Sequence, residues 1–298
     1  GAIAEAIVME FGTKELIERL SDALWFQALS CTLGFDWHSS GTTTVTMGAL
    51  KEALKERNIG IKIAGRKGKF REIPKEIEKF GEIMDLSTKK IEKIKKVSKL
   101  SAKVDSVGLM DGFEIYYHAI AFDENGKWSV VQQGMRGEWA RRYHLCNVKN
   151  FEEEPNSSIA SEKIVSPINL VDRESKEARK IIVELVLDAP KLRGFFTGQT
   201  TLNSFYFRFP KSHTFKKRIY SNILKAYEMS PSNFEEVMLS LGPKSMRALA
   251  LISELIYNVK VSRRDPVKFS FAHGGKDGVP YPIDRKVYEK SIQVLEEA

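Results

Sequence analysis

Four residues at 242–245, Gly242-Pro243-Lys244-Ser245, separate two apolar stripes of helical spacing. Phe234, Val237, Met238 and Leu241 form the first stripe; Met246, Leu249, Ala250, Ile252, Leu255 and Ile256 form the second. The gap leaves room only for a tight link between two helices. Pro243 suits the first position of a helix, where its missing N–H would lack a partner anyway. The N–H groups of the following turn then point outward beside Lys244, Ser245 and Arg247, an arrangement that holds a phosphate.

Three other stretches carry residues of the same kind. Gly65 opens a basic run with Arg66, Lys67, Lys69 and Arg71, where glycine lets backbone approach a phosphate. It lacks the Ser or Thr after Lys and the spacing of a nucleoside-triphosphate loop. Around 136–144, Arg136, Arg141, Arg142 and His144 interleave with Trp139 and Tyr143, which suits phosphate contact plus base stacking. Two Gly-punctuated loops add donors: 33–44, with His38, Ser39, Ser40, Thr42 and Thr43, and 269–278, with His273 and Lys276. The first loop has a structural reading too, its Ser and Thr side chains capping helix N-termini.

Leu-Ser-Leu-Gly-Pro-Lys-Ser at 239–245 resembles the hairpin of a helix-hairpin-helix, a DNA-backbone clamp found in repair proteins. In the base-excision glycosylase branch this hairpin carries a Gly, a variable residue, a Lys and a Ser or Thr. The resemblance implies that Lys244 is the nucleophile of a glycosylase/lyase and Asp265, after Arg263 and Arg264, its carboxylate partner. It departs from the pattern at Ser240, where the family prefers Gly, and in the spacing to Asp265. A second resemblance, to half of a phospholipase-D-type site, rests on a strand with His118, an acidic turn and an apolar strand. The Lys that such a site needs two residues after the His is Ile120 here. A metal-dependent nuclease would instead use carboxylates such as Asp111 and Glu114, but its usual Glu-x-Lys is replaced by Gln132-Gln133-Gly134. A nuclease centred on 105–144, with Asp105, Asp111, Glu114 and His118, is therefore the alternative to Lys244 chemistry.

Phe-Asp-Trp-His-Ser-Ser-Gly at 35–41, Ser-Ala-Lys-Val-Asp at 101–105 and Val-Gln-Gln-Gly-Met at 131–135 carry a broader likeness. Ala-Arg-Arg-Tyr-His at 140–144 and Phe-Ala-His-Gly-Gly-Lys-Asp-Gly at 271–278 extend it. Together they are similar to an uncharacterised family of thermophilic prokaryotes, which carries no function to transfer. Its members start with a further segment, and the absence of an initial Met points to a natural start upstream.

Charge narrows the partner. The net +8 is localised: residues 51–103 hold 17 Lys and Arg against 8 Asp and Glu, and 191–225 hold 8 basic residues and no acid. Clustered cations draw polyanions, so DNA, or RNA, is the expected partner. The first cluster also fits the Lys-Glu networks of proteins from hot environments, whereas the second has nothing local to pair with. With 42% hydrophobic and 29% charged residues the composition is that of a soluble globular protein. No apolar run reaches the ~20 residues of a membrane span. Cys31 and Cys146 suggest neither a disulfide framework nor a zinc site and suit a reducing cytoplasm. No cofactor or metal is implied.

The elements that must position these residues read as helices at 2–11, 13–25, 46–57, 75–84 and 88–98. A short strand is expected at 59–64, and a β-hairpin at 113–133 turns at 123–126. Helices follow at 170–186, 216–228, 233–241 and 246–257, with a last one from 284. The expected class is α+β, mainly helical. An N-terminal half (1–150) holds the hairpin in a small sheet, and a helical half (151–298) holds the helix-hairpin-helix-like segment 233–265. The stretch 151–158 reads as an exposed linker between them.

Overall fold

A computed structural model describes residues 1–35, 41–68, 70–161, 163–193, 217–269 and 293. The class is α+β. Four helices come first: α1 (Ala2–Phe11), α2 (Thr13–Leu20), α3 (Ala23–Thr32) and α4 (Thr42–Glu56). The single helix expected over 13–25 is two, because the Asp22 side chain accepts from the N–H groups of Leu24 and Trp25 and so starts α3 afresh. Strand β1 (Ile61–Lys67) and a short turn lead to α5 (Ile73–Ile83) and α6 (Thr88–Lys103). The last turns of α6 widen into a π-helical segment, Val104–Gly108, before the two-residue strand β2 (Leu109–Met110).

The expected hairpin is β3 (Glu114–Asp123) and β4 (Trp128–Arg136), followed by β5 (Trp139–Cys146) and β6 (Ser158–Ser161). These strands and β1 form one antiparallel sheet in the order β1-β3-β4-β5-β6. A small ribbon pairs β2 with β7 (Ile168–Asn169). Helices α7 (Lys176–Leu187), α8 (Lys217–Glu228), α9 (Phe234–Ser240) and α10 (Pro243–Tyr257) complete the described chain.

Strand side chains alternate between faces, and here both faces are buried. Tyr117, Ala119, Ala121 and Val131 pack with Phe26, Met47 and Leu54 of the first four helices. Ile120, Phe122, Val130 and Tyr143 belong to the other core, with Ile94 of α6, Ile182 of α7 and Leu249 of α10. That second core draws on residues from 64 to 261.

Two expectations fail on packing. Residues 139–146 form an interior strand instead of a phosphate-contacting surface, and Arg141 and Arg142 have no exposure at all. The stretch expected to be an exposed linker is anchored: the Phe151 ring stacks on Trp128 at 6.0 Å, and its N–H donates to Glu235 Oε1.

Gly65 is also explained by packing. A Cβ there would lie 2.4 Å from Ala119 Cα and 2.5 Å from the His118 carbonyl oxygen, so only glycine lets β1 approach β3 this closely. Gly242, by contrast, has extended backbone and open space where a Cβ would go. Gly65→Ala should therefore destabilise by about 1–3 kcal/mol or more. Gly242→Ala should cost less than about 1 kcal/mol, the loss of a modest N-cap preference. Urea unfolding of the two variants checks the contrast.

Candidate functional site

The site begins with how the C-terminal hairpin is held. Asn233 caps α9 by accepting from the Glu236 N–H, and Ser232 donates to the Glu236 carboxylate in return. Only Leu241 and Gly242 separate α9 from α10, whose first residue is Pro243 as the spacing predicts. Lys103, at the end of α6, donates to the Leu241 carbonyl oxygen at 2.5 Å and pins this link to α6. Burial lowers the Lys103 pKa.

Between α6, the start of α10 and the 109–115 segment entering β3 lies a cavity of about 1030 Å³. Its walls are largely apolar, with Ile73, Met110, Phe113, Ile115, Leu239 and Leu251. Its polar groups fall into two sets. Lys96, Lys99, Lys244 and Arg247 line it, are exposed, and form no ion pair among the described residues. Lys95 also lines it but is held by Glu92 and Glu78. Deeper in the wall sit Ser98, His118 and Asp111, with Glu114 exposed beside them.

The His118 ring is set by a chain of hydrogen bonds. Gln132 Nε2 donates to the Ser101 carbonyl oxygen at 3.1 Å and to Asp105 Oδ2 at 2.5 Å. A main-chain carbonyl can only accept, which fixes the Gln132 amide and turns its Oε1 toward His118 Nδ1, 2.8 Å away. Nδ1 therefore carries the proton and Nε2 is bare. Ser98 Oγ, 2.8 Å from Nε2, is the donor. Burial holds the ring neutral, its pKa lowered to about 4. Asp105 is fully buried on the π-helical segment, also accepts from Asn156 Nδ2 at 2.8 Å, and has its pKa pushed well up by desolvation.

Asp111 is occupied differently. Arg141 Nη1 donates to its Oδ2 at 2.9 Å, the Tyr143 hydroxyl donates to the same oxygen at 2.8 Å, and the Phe113 N–H caps Oδ1. The other side of the Arg141 guanidinium grips Asp265, with Nη2 to Oδ2 at 2.8 Å and Nη1 to Oδ1 at 3.2 Å. The Val165 and Val267 N–H groups take up the remaining lone pairs of Asp265.

The candidate residues therefore divide. Lys244, Arg247, Asp111, Glu114 and His118, from two separate sequence stretches, line one cavity. Asp265 does not line it, and its carboxylate is fully engaged by Arg141, so it does not face Lys244. Arg263 pairs with Glu254, and Arg264 with Asp172 and Glu154, both arginines being exposed beyond α10. Arg142 lies beneath α3, donating to His144 Nε2, the Ala23 carbonyl and Gln27 Oε1 over the Phe26 ring. Burial lowers its pKa to about 9. Ser245 is buried, Gly242 is half-buried at the link, and Lys67 is exposed over the Tyr116 ring. His38, Ser39, Lys69, His273 and Lys276 lie outside the described residues.

Sequence reading missed Ser98, Gln132 and the inward-facing stripe of α6. A signal was present. Along α6 and into the π-helical segment, positions 91, 94, 98, 101 and 105 are buried, yet they read Ile, Ile, Ser, Ser, Asp. Polar residues on the inner stripe of a charged helix mark a place where the core is not apolar.

Among the described residues no three His, Cys, Asp or Glu side chains gather in a group that could hold a metal ion. Nor is any helix among them long and apolar enough to cross a membrane. A family model for proteins of unknown function, DUF763, matches residues 1–283, and the chain belongs to that family. No curated protein and no solved structure matches the chain.

Two stability outcomes follow. Asp265→Ala leaves Arg141 buried with half its partners and should cost about 3–5 kcal/mol in urea unfolding. His118 has a folded pKa below its unfolded value, so its stabilising effect is present above about 6.5 and is lost as pH falls toward about 4. Between pH 7 and pH 5 the wild type should lose roughly 2 kcal/mol more than His118→Gln does.

Proposed function

We propose that this DUF763 protein binds DNA, or RNA, and takes one nucleotide of the strand into the cavity beside Lys244. The observation that carries the reading is the union of an apolar cavity of about 1030 Å³ with four exposed cations, Lys96, Lys99, Lys244 and Arg247, that make no close ion pair among the described residues. An apolar interior suits a planar base, and cations at its edge suit the phosphates on either side. Drawing a base out of a helix costs a few kcal/mol, least for a damaged or mismatched one. Stacking on an aromatic wall such as Phe113 returns roughly 1–3 kcal/mol. The first-turn N–H groups of α10 add donors beside Lys244.

The chemistry favoured is that of a glycosylase with abasic-site lyase activity, in the repair of damaged DNA. Lys244 Nζ attacks the sugar carbon of the drawn-in nucleotide, the base leaves, and an imine joins enzyme and sugar. Asp265 takes no part, since Arg141 holds it. Two exposed carboxylates line the cavity, and since Glu92 pairs with Lys95, Glu114 is the one that can face positive charge developing on the sugar. A second reading, phosphodiester cleavage, is favoured by one further observation: His118, with Ser98 bonded to it, lines the same cavity. In that case Lys244 serves as a phosphate-binding cation.

Affinity for DNA should fall with salt along a log–log slope of about −3 to −4, near 0.9 per cation at the cavity. Absence of binding to DNA and RNA at low salt would overturn the whole reading. Borohydride should trap a cross-link to abasic DNA, lost in Lys244→Gln while most binding remains. Unchanged trapping by that variant would show that another amine is the nucleophile.

A further inference from the structure

Phosphodiester cleavage needs a nucleophile, and the cavity wall supplies one that charge patterning does not reveal. Ser98 Oγ donates to the bare Nε2 of His118 at 2.8 Å. The opposite ring nitrogen is held by Gln132 Oε1 at 2.8 Å, and the Gln132 amide is held by Asp105 and the Ser101 carbonyl. Hydroxyl, neutral imidazole and a third group that orients the ring are the parts of an activated nucleophile, recognised by geometry and not by chain order. Here the third position is an amide, backed by a buried carboxylate.

These groups are placed where a substrate could meet them. Ser98 and His118 both line the cavity, although each is less than a tenth exposed. Lys95 and Lys99 flank Ser98 on α6, and Lys244 and Arg247 face the same space from α10. Phe70 meets the His118 ring edge-on at 6.4 Å. A purely structural serine on this stripe could have satisfied itself on its own helix, as Ser101 does by donating to the Val97 carbonyl at 2.8 Å. Ser98 bonds a ring from the sheet instead.

We infer that Ser98 is a nucleophile for phosphodiesters, with His118 as the base that takes its proton and Gln132 as the residue that positions the ring. The inference rests on reading the cavity as the active site and sharpens the phosphodiester reading. In the first step a bond forms from Ser98 Oγ to phosphorus, and the bond from phosphorus to the leaving oxygen breaks. The Oγ proton passes to His118 Nε2 and on to the leaving oxygen, which departs as an alcohol. Water then attacks the phosphorus of the seryl phosphodiester intermediate, gives a proton through His118 back to Oγ, and releases the remaining half as a phosphomonoester. Negative charge on the bound phosphate offsets the cost of forming an imidazolium in a buried place, and Lys99 and Lys244 neutralise charge that builds on the phosphoryl oxygens.

A fluorophosphonate probe on the full chain tests this without any nucleic acid. Ser98 Oγ would bond to phosphorus as fluoride leaves, so peptide mass spectrometry should find one adduct, on Ser98. The adduct should vanish in Ser98→Ala, and the labelling rate should fall about 100-fold in His118→Gln, the scale of a lost general base. Should Ser98→Ala not fold, Ser98→Cys provides the second arm. Its thiol should react with iodoacetamide faster than Cys31 or Cys146, and that advantage should disappear when His118→Gln is added. No adduct on Ser98 in the folded protein, or an unchanged rate in His118→Gln, would overturn the inference. Labelling of Ser98 in a protein that binds no nucleic acid would uphold the nucleophile and reject nucleic acid as its substrate. Binding without labelling would do the reverse.

Discussion

A guanidinium with no exposed surface joins four parts of this protein. Arg141, on β5, holds Asp111 ahead of β3, Asp265 beyond α10, and the carbonyl oxygen of Lys163, while Tyr143 from the same strand supports Asp111. Removing such a charge from water is expensive, and two carboxylates with good geometry offset the cost. The consequence is positional. Asp111 and its neighbours form one wall of the cavity, and Asp265 anchors the chain leaving α10, whose first turn forms another. One wall is thus held directly by this side chain in the sheet, and the chain that follows α10 is held by it too, while Lys103 holds the start of α10.

Much of the architecture was legible because periodicity is a local property. The β3–β4 hairpin, α1, α5 and the two helices around Gly242 could be read from alternation, helical stripes and a Gly-Pro break. Arg141, Arg142 and His144 were misread because buried, hydrogen-bonded basic side chains leave the same trace in sequence as a phosphate-binding surface. Arg141 and Arg142 are charged in either case, and only their partners, 30 and 115 residues away, tell the two apart. Asp265 failed for the same reason: the helix-hairpin-helix resemblance implied a pairing with Lys244, but Arg141 holds its carboxylate. Gly65 looked like a phosphate loop and is instead a close crossing of β1 over β3.

The cavity itself could not be foreseen in that way. It joins Lys244 and Arg247 to His118 and Asp111, more than 100 residues apart in the chain, and adds lysines of α6. Its physical character combines apolar walls, exposed cations and a buried chain of oriented polar groups. The first two suit a ligand with a flat body and negative charge; the third suits proton transfer. Amine and hydroxyl chemistry make different demands on the same space, and one bound nucleotide would meet both.

Whether a nucleotide enters that space is the central claim, and photochemical cross-linking tests it most directly. An oligonucleotide carrying 5-bromouracil at a single position, irradiated with the protein, places its adduct where the base rests. Adducts on Phe113, Met110 or Phe70 at the cavity are the predicted result. Adducts confined to the exposed faces of α1–α4, with none at the cavity, would contradict it.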